Sequence, residues 1–197
     1  MTPLQYLLII AAAYLIGSFS SGIHISSSQG RDIRSEGSGS SGATNVARVL
    51  GTRFGLLTFA CDFLKTALAV GFGWLVSGRA GALAAGIFVV IGHNWPVYYH
   101  FRGGKGIVCS TALLLILFPL EALAAGAVAI LVIWLSRYVS LGSLVLLSLS
   151  AVLISIFRGF IPSGLWSVIL LGLALFQHRS NVARLIQGRE NKLSFKR

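Results

Sequence analysis

Charged side chains are scarce in this 197-residue chain: they make up 11% of it, where a soluble globular domain carries about 25%. That scarcity excludes an ordinary water-soluble domain. Acidic groups are rarest, with five Asp+Glu against sixteen Lys+Arg and a formal net charge of +11. So few charges mean that their placement, not their sum, must choose among nucleic acid, anionic lipid and an anionic substrate as partner. Cysteine is nearly absent too. Cys61 and Cys109 both lie in apolar runs and form no CxxC or Cys/His spacing, so neither a disulfide framework nor a zinc site is expected.

What the chain does contain is apolar sequence in long runs. About 20 apolar residues carry a helix across some 30 Å of hydrocarbon, and the runs divide into seven spans near 4–23, 55–77, 80–98, 107–120, 122–136, 139–157 and 161–177. The stretch 107–136 is either one long helix or a hairpin broken at Pro119-Leu120-Glu121, since proline disrupts a helix and a carboxylate is costly at mid-bilayer. Basic residues decide between the two. With the hairpin, one side holds Arg31, Arg34, Arg48, Arg53, Arg102, Lys105, Arg137 and the tail cations Arg179, Arg184, Arg189, Lys192, Lys196 and Arg197, while only Arg79 and Arg158 lie opposite. A single long helix divides them almost evenly. Lys and Arg concentrate on the cytoplasmic side, which predicts an all-α integral membrane protein: a bundle of about seven transmembrane helices, N-terminus outside and C-terminus cytoplasmic. Residues 1–197 read as one domain. No Lys or Arg precedes Arg31, which fits an exported N-terminus rather than a cleaved signal peptide. No run alternates as a barrel strand does, and no internal repeat marks a transporter.

Three polar segments fall on the predicted inner face and are expected to share one site. EGSGSSGATNVAR at 36–48 supplies Gly37, Gly39 and Gly42 for a backbone turned toward an anion. Ser38 and Thr44 add hydroxyl donors, and Arg48 a guanidinium fork. Asn45 and Arg48, one helical turn apart, read as the start of a helix leading into the second span; a flexible Gly/Ser linker is the bland alternative. GHNWPVYYHFRGGKG at 92–106 sets Arg102 and Lys105 among Gly103, Gly104 and Gly106, physically like a phosphate loop without being a Walker sequence. Its aromatic residues read as an interfacial belt, and His93 and His100 as structural groups near a helix end. HRSNVARLIQGREN at 178–191 places His178 and Asn181 on one helical face beside Arg184. Glu190 is available to pair with the arginines. A basic amphipathic tail lying on anionic lipid is the alternative there. Asp62 and Lys65, one turn apart within the second span, read either as a paired functional group or as a snorkelling lysine.

Cations in two glycine turns and one His/Asn helix at a bilayer surface point to phospholipid chemistry. The HxxxxD signature of common glycerolipid acyltransferases fails at every histidine, because Gln29, Tyr98, Lys105 and Ala183 stand at the fifth position beyond. Two Asp in the whole chain exclude the aspartate-rich pattern of CDP-alcohol phosphotransferases, and no HExxH exists. The order YLIGSF, GSGSSGATNVAR, GHNWPVYYHFRGGKG and HRSNVARLIQGREN resembles the bacterial membrane glycerol-3-phosphate acyltransferase family that uses acyl phosphate, the PlsY type, over essentially the whole chain. The resemblance implies transfer of a fatty acyl group from acyl phosphate to glycerol 3-phosphate, giving lysophosphatidic acid and inorganic phosphate, at the cytoplasmic face of a bacterial inner membrane. It maps the family's important serine and arginine onto Ser38 and Arg48, and its glycerol 3-phosphate loop onto Gly103, Gly104, Lys105 and Gly106. His178 and Asn181 match its histidine and asparagine, and Glu190 its supporting glutamate. Ser40 stands where the family usually has Asn, and Val108-Cys109 where it usually has Ala-Thr. No metal, cofactor or nucleic acid is expected; membrane lipids are, as is a functional link to the enzyme that makes acyl phosphate. The hydroxyl proton goes either to His178 or to the donor's own phosphate. A phosphate transporter and a lipid-binding scaffold are the non-enzyme alternatives.

Overall fold

The computed structural model describes residues 2–193, so Lys196 and Arg197 of the expected inner-face charges lie outside the described residues. Among those described there is no strand. Two compact units are distinguished, Met1–Leu113 and Leu114–Arg197.

The first unit begins with α1 (Pro3–Ser18), whose start is fixed by a reciprocal cap between Thr2 and Gln5 and by Pro3 in the first turn. The helix of the expected first span is interrupted. The helix stops at Ser18, and α2 (Ser21–Ser28) starts after Phe19 and Ser20. A short α3 (Ala43–Leu50) is separated from α4 (Thr52–Asn94) by Gly51 at φ 101°. The first polar motif therefore does not run straight into the second span, because Gly51 adopts a backbone few other residues tolerate. Ser77 and Gly78 are non-helical within α4 and divide it into two limbs, matching the gap expected between residues 77 and 80. The limbs meet closely: a Cβ on Gly73 would lie 2.4 Å from the Gly81 carbonyl oxygen. α1 packs along α4, where a Cβ on Gly17 would strike the Val89 carbonyl oxygen at 2.2 Å. α1 buries Ile9 and Ala13 while exposing Leu4, Leu7 and Leu15. Ala13 and Gly17 are buried while the leucines face outward, as expected where the surrounding solvent is lipid. Not every glycine has that role, since Gly71 and Gly126 face open space.

The eleven-residue α5 (Ile107–Leu117) straddles the division between the units and ends where Phe118 leaves helical geometry. α6 (Pro119–Ser136) then starts with Pro119, which lacks an N–H and could not have continued the preceding helix. The break at Pro119 is the one the sequence implied. In the second unit α6 packs on α7 (Val139–Arg158), and α7 on α8 (Leu165–Gln177). α9 (Arg179–Ile186) follows at His178. Glu121, at the start of α6, pairs with Arg158 at the end of α7 through Nε and Oε1 at 2.6 Å, so the two helices run antiparallel. Among the described residues, five segments are long and apolar enough to cross a membrane: Pro3–Ser28, Thr52–Tyr99, Pro119–Ser136, Val139–Arg158 and Phe160–Gln177. Both limbs of α4 fall in the second of these, and α5 is shorter than that measure requires.

Candidate active site

The first motif is a loop shaped by its own side chains. Ile33 is buried with Ile23 and Val46, which anchors the loop on α2 and α3. Gly37 and Gly39 take left-handed φ of 59° and 71°, and a Cβ on Gly37 would fall 2.2 Å from Asn45 Oδ1. Asn45 is the centre of this turn. Its Oδ1 accepts the Ser38 N–H at 2.8 Å, and its Nδ2 donates to the carbonyls of Ser40 (2.9 Å), Glu36 (3.0 Å) and Ile33 (3.3 Å). Asn45, expected to line the phosphate site, spends its Nδ2 donors on backbone carbonyls and so shapes the loop. The Ser38 N–H is likewise occupied.

Ion pairing accounts for two of the arginines around this loop. Arg31 forks onto Glu36 and also donates to the Val49 carbonyl at 3.1 Å. Arg34 Nε meets Asp32 at 2.9 Å, and its hydrogen bonds hold the Asp32 carboxyl below the usual carboxylate range. Both acidic residues of the segment are thus matched to neighbouring arginines. Arg48 has no carboxylate partner among the described residues; its Nη1 lies 3.5 Å from Asn45 Oδ1. Thr44 and Arg48 are exposed, and Ser38 and Gly42 half-buried.

The second motif lies in the same unit. His100 and Phe101 both adopt left-handed φ, 54° and 58°, a strained choice for non-glycine residues. A cleft of about 550 Å³ lined by Asp32, Arg34, Ser35, His100 and Arg102 sets the turn just before the first motif beside the second motif. Nothing in the sequence patterns signalled that cleft. Gly103, Gly104 and Gly106 lie against the end of α4: Cβ atoms there would come within 2.1 Å of the His93 carbonyl oxygen, 2.1 Å of His93 Nε2 and 2.7 Å of Asn94 Oδ1. These glycines are required by close packing on α4, a reason that a phosphate-loop reading alone does not supply.

The third motif belongs to the second unit. His178 is the junction between α8 and α9 and is buried with Asn181. Its Nδ1 lies 2.8 Å from the Ala174 carbonyl oxygen, so Nδ1 carries the proton and, in the neutral ring, Nε2 is the acceptor. Glu190 gathers Asn181 Nδ2 (2.6 Å), Arg184 Nε (2.7 Å) and Ser140 Oγ (3.0 Å). Burial pushes the Glu190 carboxyl up, but these three donors outweigh it and hold it below the ordinary glutamate value. The carboxylate therefore fixes Asn181 and Arg184 in place. Ser140, fifty residues away in the chain, carried no sequence signal.

Residues 7–188 match the family model described as glycerol-3-phosphate acyltransferase. A glycerol-3-phosphate acyltransferase of Thermoanaerobacter sp. (strain X514) is 46% identical over 185 residues, covering 93% of each chain. One from Halalkalibacterium halodurans is 41% identical over 204 residues, covering 96% of each. The crystal structure of PlsY, an integral membrane glycerol 3-phosphate acyltransferase, in its glycerol 3-phosphate form superposes with a TM-score of 0.91 at 31% identity, covering 96% of both chains. Its lysophosphatidic acid form gives 0.85 at 32% identity, covering 96% of this chain and 95% of the other. The chain belongs to the glycerol-3-phosphate acyltransferase family.

Proposed function

We propose that this enzyme transfers a fatty acyl group from acyl phosphate to glycerol 3-phosphate, releasing lysophosphatidic acid and inorganic phosphate. The observation that supports the reading is the paired state of Asp32, Glu36 and Glu190, each with an arginine of its own segment, so that Arg48 is among the cations with no carboxylate partner among the described residues and can meet an anion from outside the chain. Arg48 and Lys105 neutralise phosphate charge, Gly37, Gly39, Gly42, Thr44 and Ser38 shape and line the first anion loop, and Gly103, Gly104 and Gly106 present the second. His178, Asn181 and Arg184 orient the acceptor, with Glu190 behind them. One domain, 1–197, of about seven spans, N-terminus out, in a bacterial inner membrane with these groups at the cytoplasmic face, is the arrangement that the basic residues favour. A functional link to the enzyme that supplies acyl phosphate follows from the donor.

The glycerol hydroxyl oxygen attacks the acyl carbonyl carbon, the bond from that carbon to the bridging oxygen breaks, and phosphate departs. The mixed anhydride is already activated, so orientation and charge neutralisation supply most of the catalysis. The proton passes to a phosphate oxygen of the donor. His178 is a poor rival for it, because a carbonyl rather than a carboxylate holds its Nδ1, and an imidazolium there gains no counter-ion from that side. Purified protein in detergent, given labelled glycerol 3-phosphate with either acyl phosphate or acyl-CoA, is expected to form lysolipid only with the first; product from acyl-CoA alone would overturn the donor assignment. His178→Ala is expected to raise the KM for glycerol 3-phosphate while the acid limb of the pH–rate profile survives. Loss of that limb with affinity intact would make His178 the base.

A further inference from the structure

Lys65, Asp62 and His93 form an ionisable cluster within α4, exposed by only 6%, 1% and 4%. Lys65 does not snorkel. Its Nζ lies 2.9 Å from Asp62 Oδ1, 3.0 Å from His93 Nδ1, and 2.7 and 3.2 Å from the carbonyl oxygens of Phe19 and Gly17. An ammonium group only donates, so His93 Nδ1 accepts and the ring proton sits on Nε2. Ser21 Oγ donates to Asp62 Oδ1 at 2.6 Å. Charge, tautomer and ring orientation are therefore set from inside the first unit.

The far edge of that ring is where the second motif rests. The Gly104 N–H donates to the His93 carbonyl at 3.1 Å, and a Cβ on Gly104 would lie 2.1 Å from His93 Nε2. Gly104 thus packs directly on the imidazole, and the orientation of the ring bears on the placement of Gly104 and of Lys105, the next residue. Apolar side chains of similar volume would join these helices at lower cost than a buried ion pair. What they would not provide is a ring held in one orientation under the loop. We infer that Lys65 is a positioning residue for the glycine loop at 103–106, acting through His93 to set its affinity for the phosphate of glycerol 3-phosphate. This rests on that loop being the glycerol 3-phosphate cradle.

The rival role is purely structural, since Lys65 also satisfies carbonyls where α1 breaks. Lys65→Met is expected to lower the melting temperature in detergent and to raise the KM for glycerol 3-phosphate about tenfold, equivalent to roughly 1.4 kcal/mol, with the KM for acyl phosphate unchanged. Asp62→Asn/Lys65→Met removes the stranded charge; it is expected to regain much of the melting temperature while the KM stays raised. Recovery of both would make the cluster a fold support only and overturn the inference. A cycle of His93→Ala and Gly104→Ala supplies a second readout. Each is expected to raise the KM, and the double variant to be no worse than His93→Ala, because removing the ring opens the space that the new methyl group needs. Strictly multiplicative effects would contradict a path through His93. A Gly104→Ala enzyme with an unaltered KM would instead overturn the cradle reading itself, a result distinguishable from the others.

Discussion

The carboxamide of Asn45 joins four backbone groups of one loop, and no other side chain of similar size both accepts and donates at those places. Asn45→Ala is expected to destabilise the protein by about 1–3 kcal/mol, read as a lower melting temperature in detergent, and to lose most activity although Arg48 is intact. Asn45→Asp is expected to fare no better, because it turns a carboxylate toward carbonyls. Glu190 gives a pH prediction of definite sign. Its folded-state carboxyl lies below the ordinary value of 4.5, so its contribution to stability is fully present above that value and fades as pH falls through the depressed one. Thermal unfolding followed from pH 7 to 3 is expected to show this fading, and Glu190→Gln to remove it. That Glu190 pairs with an arginine of its own segment was legible from charge alone, as one of few carboxylates beside several arginines, though not that the partner is Arg184. The role of Asn45 was not, because a side-chain amide serves a phosphate or a backbone carbonyl equally well and only the fold decides.

Helix breaks were readable where the breaking residue announces itself. Pro119 ends any helix before it, and Ser77-Gly78 interrupts the apolar run of α4. The break after Ser18 has no such residue at Phe19 or Ser20; the Phe19 carbonyl it frees is met by Lys65, forty-six residues beyond. Long-range partners of this kind leave no local pattern. The Glu121–Arg158 pair couples the start of α6 to the end of α7. Glu121→Arg is expected to lower the melting temperature, and Glu121→Arg/Arg158→Glu to recover it in part; no recovery would mean that the pairing contributes nothing beyond packing.

For the molecule as a whole, the distribution of basic residues is the feature on which the proposed orientation rests. Single cysteines replacing Arg48, Lys105 and Arg184 are expected to react with impermeant reagents only from the cytoplasmic side, and those replacing Arg79 and Arg158 only from outside. The all-helical membrane class was legible because the scarcity of charge and the run lengths both dictate it. The division at Leu113 was not, since no linker composition marks it within α5. With the proposed acyl phosphate as an already activated donor, full turnover is expected in chelator; loss restored by a divalent cation would contradict that. The most direct test uses acyl phosphate carrying heavy oxygen at the bridge between carbon and phosphorus. The account predicts one inorganic phosphate per lysolipid formed, with all of the heavy oxygen in the phosphate; lysolipid without released phosphate, or heavy oxygen retained in the lipid, would contradict it.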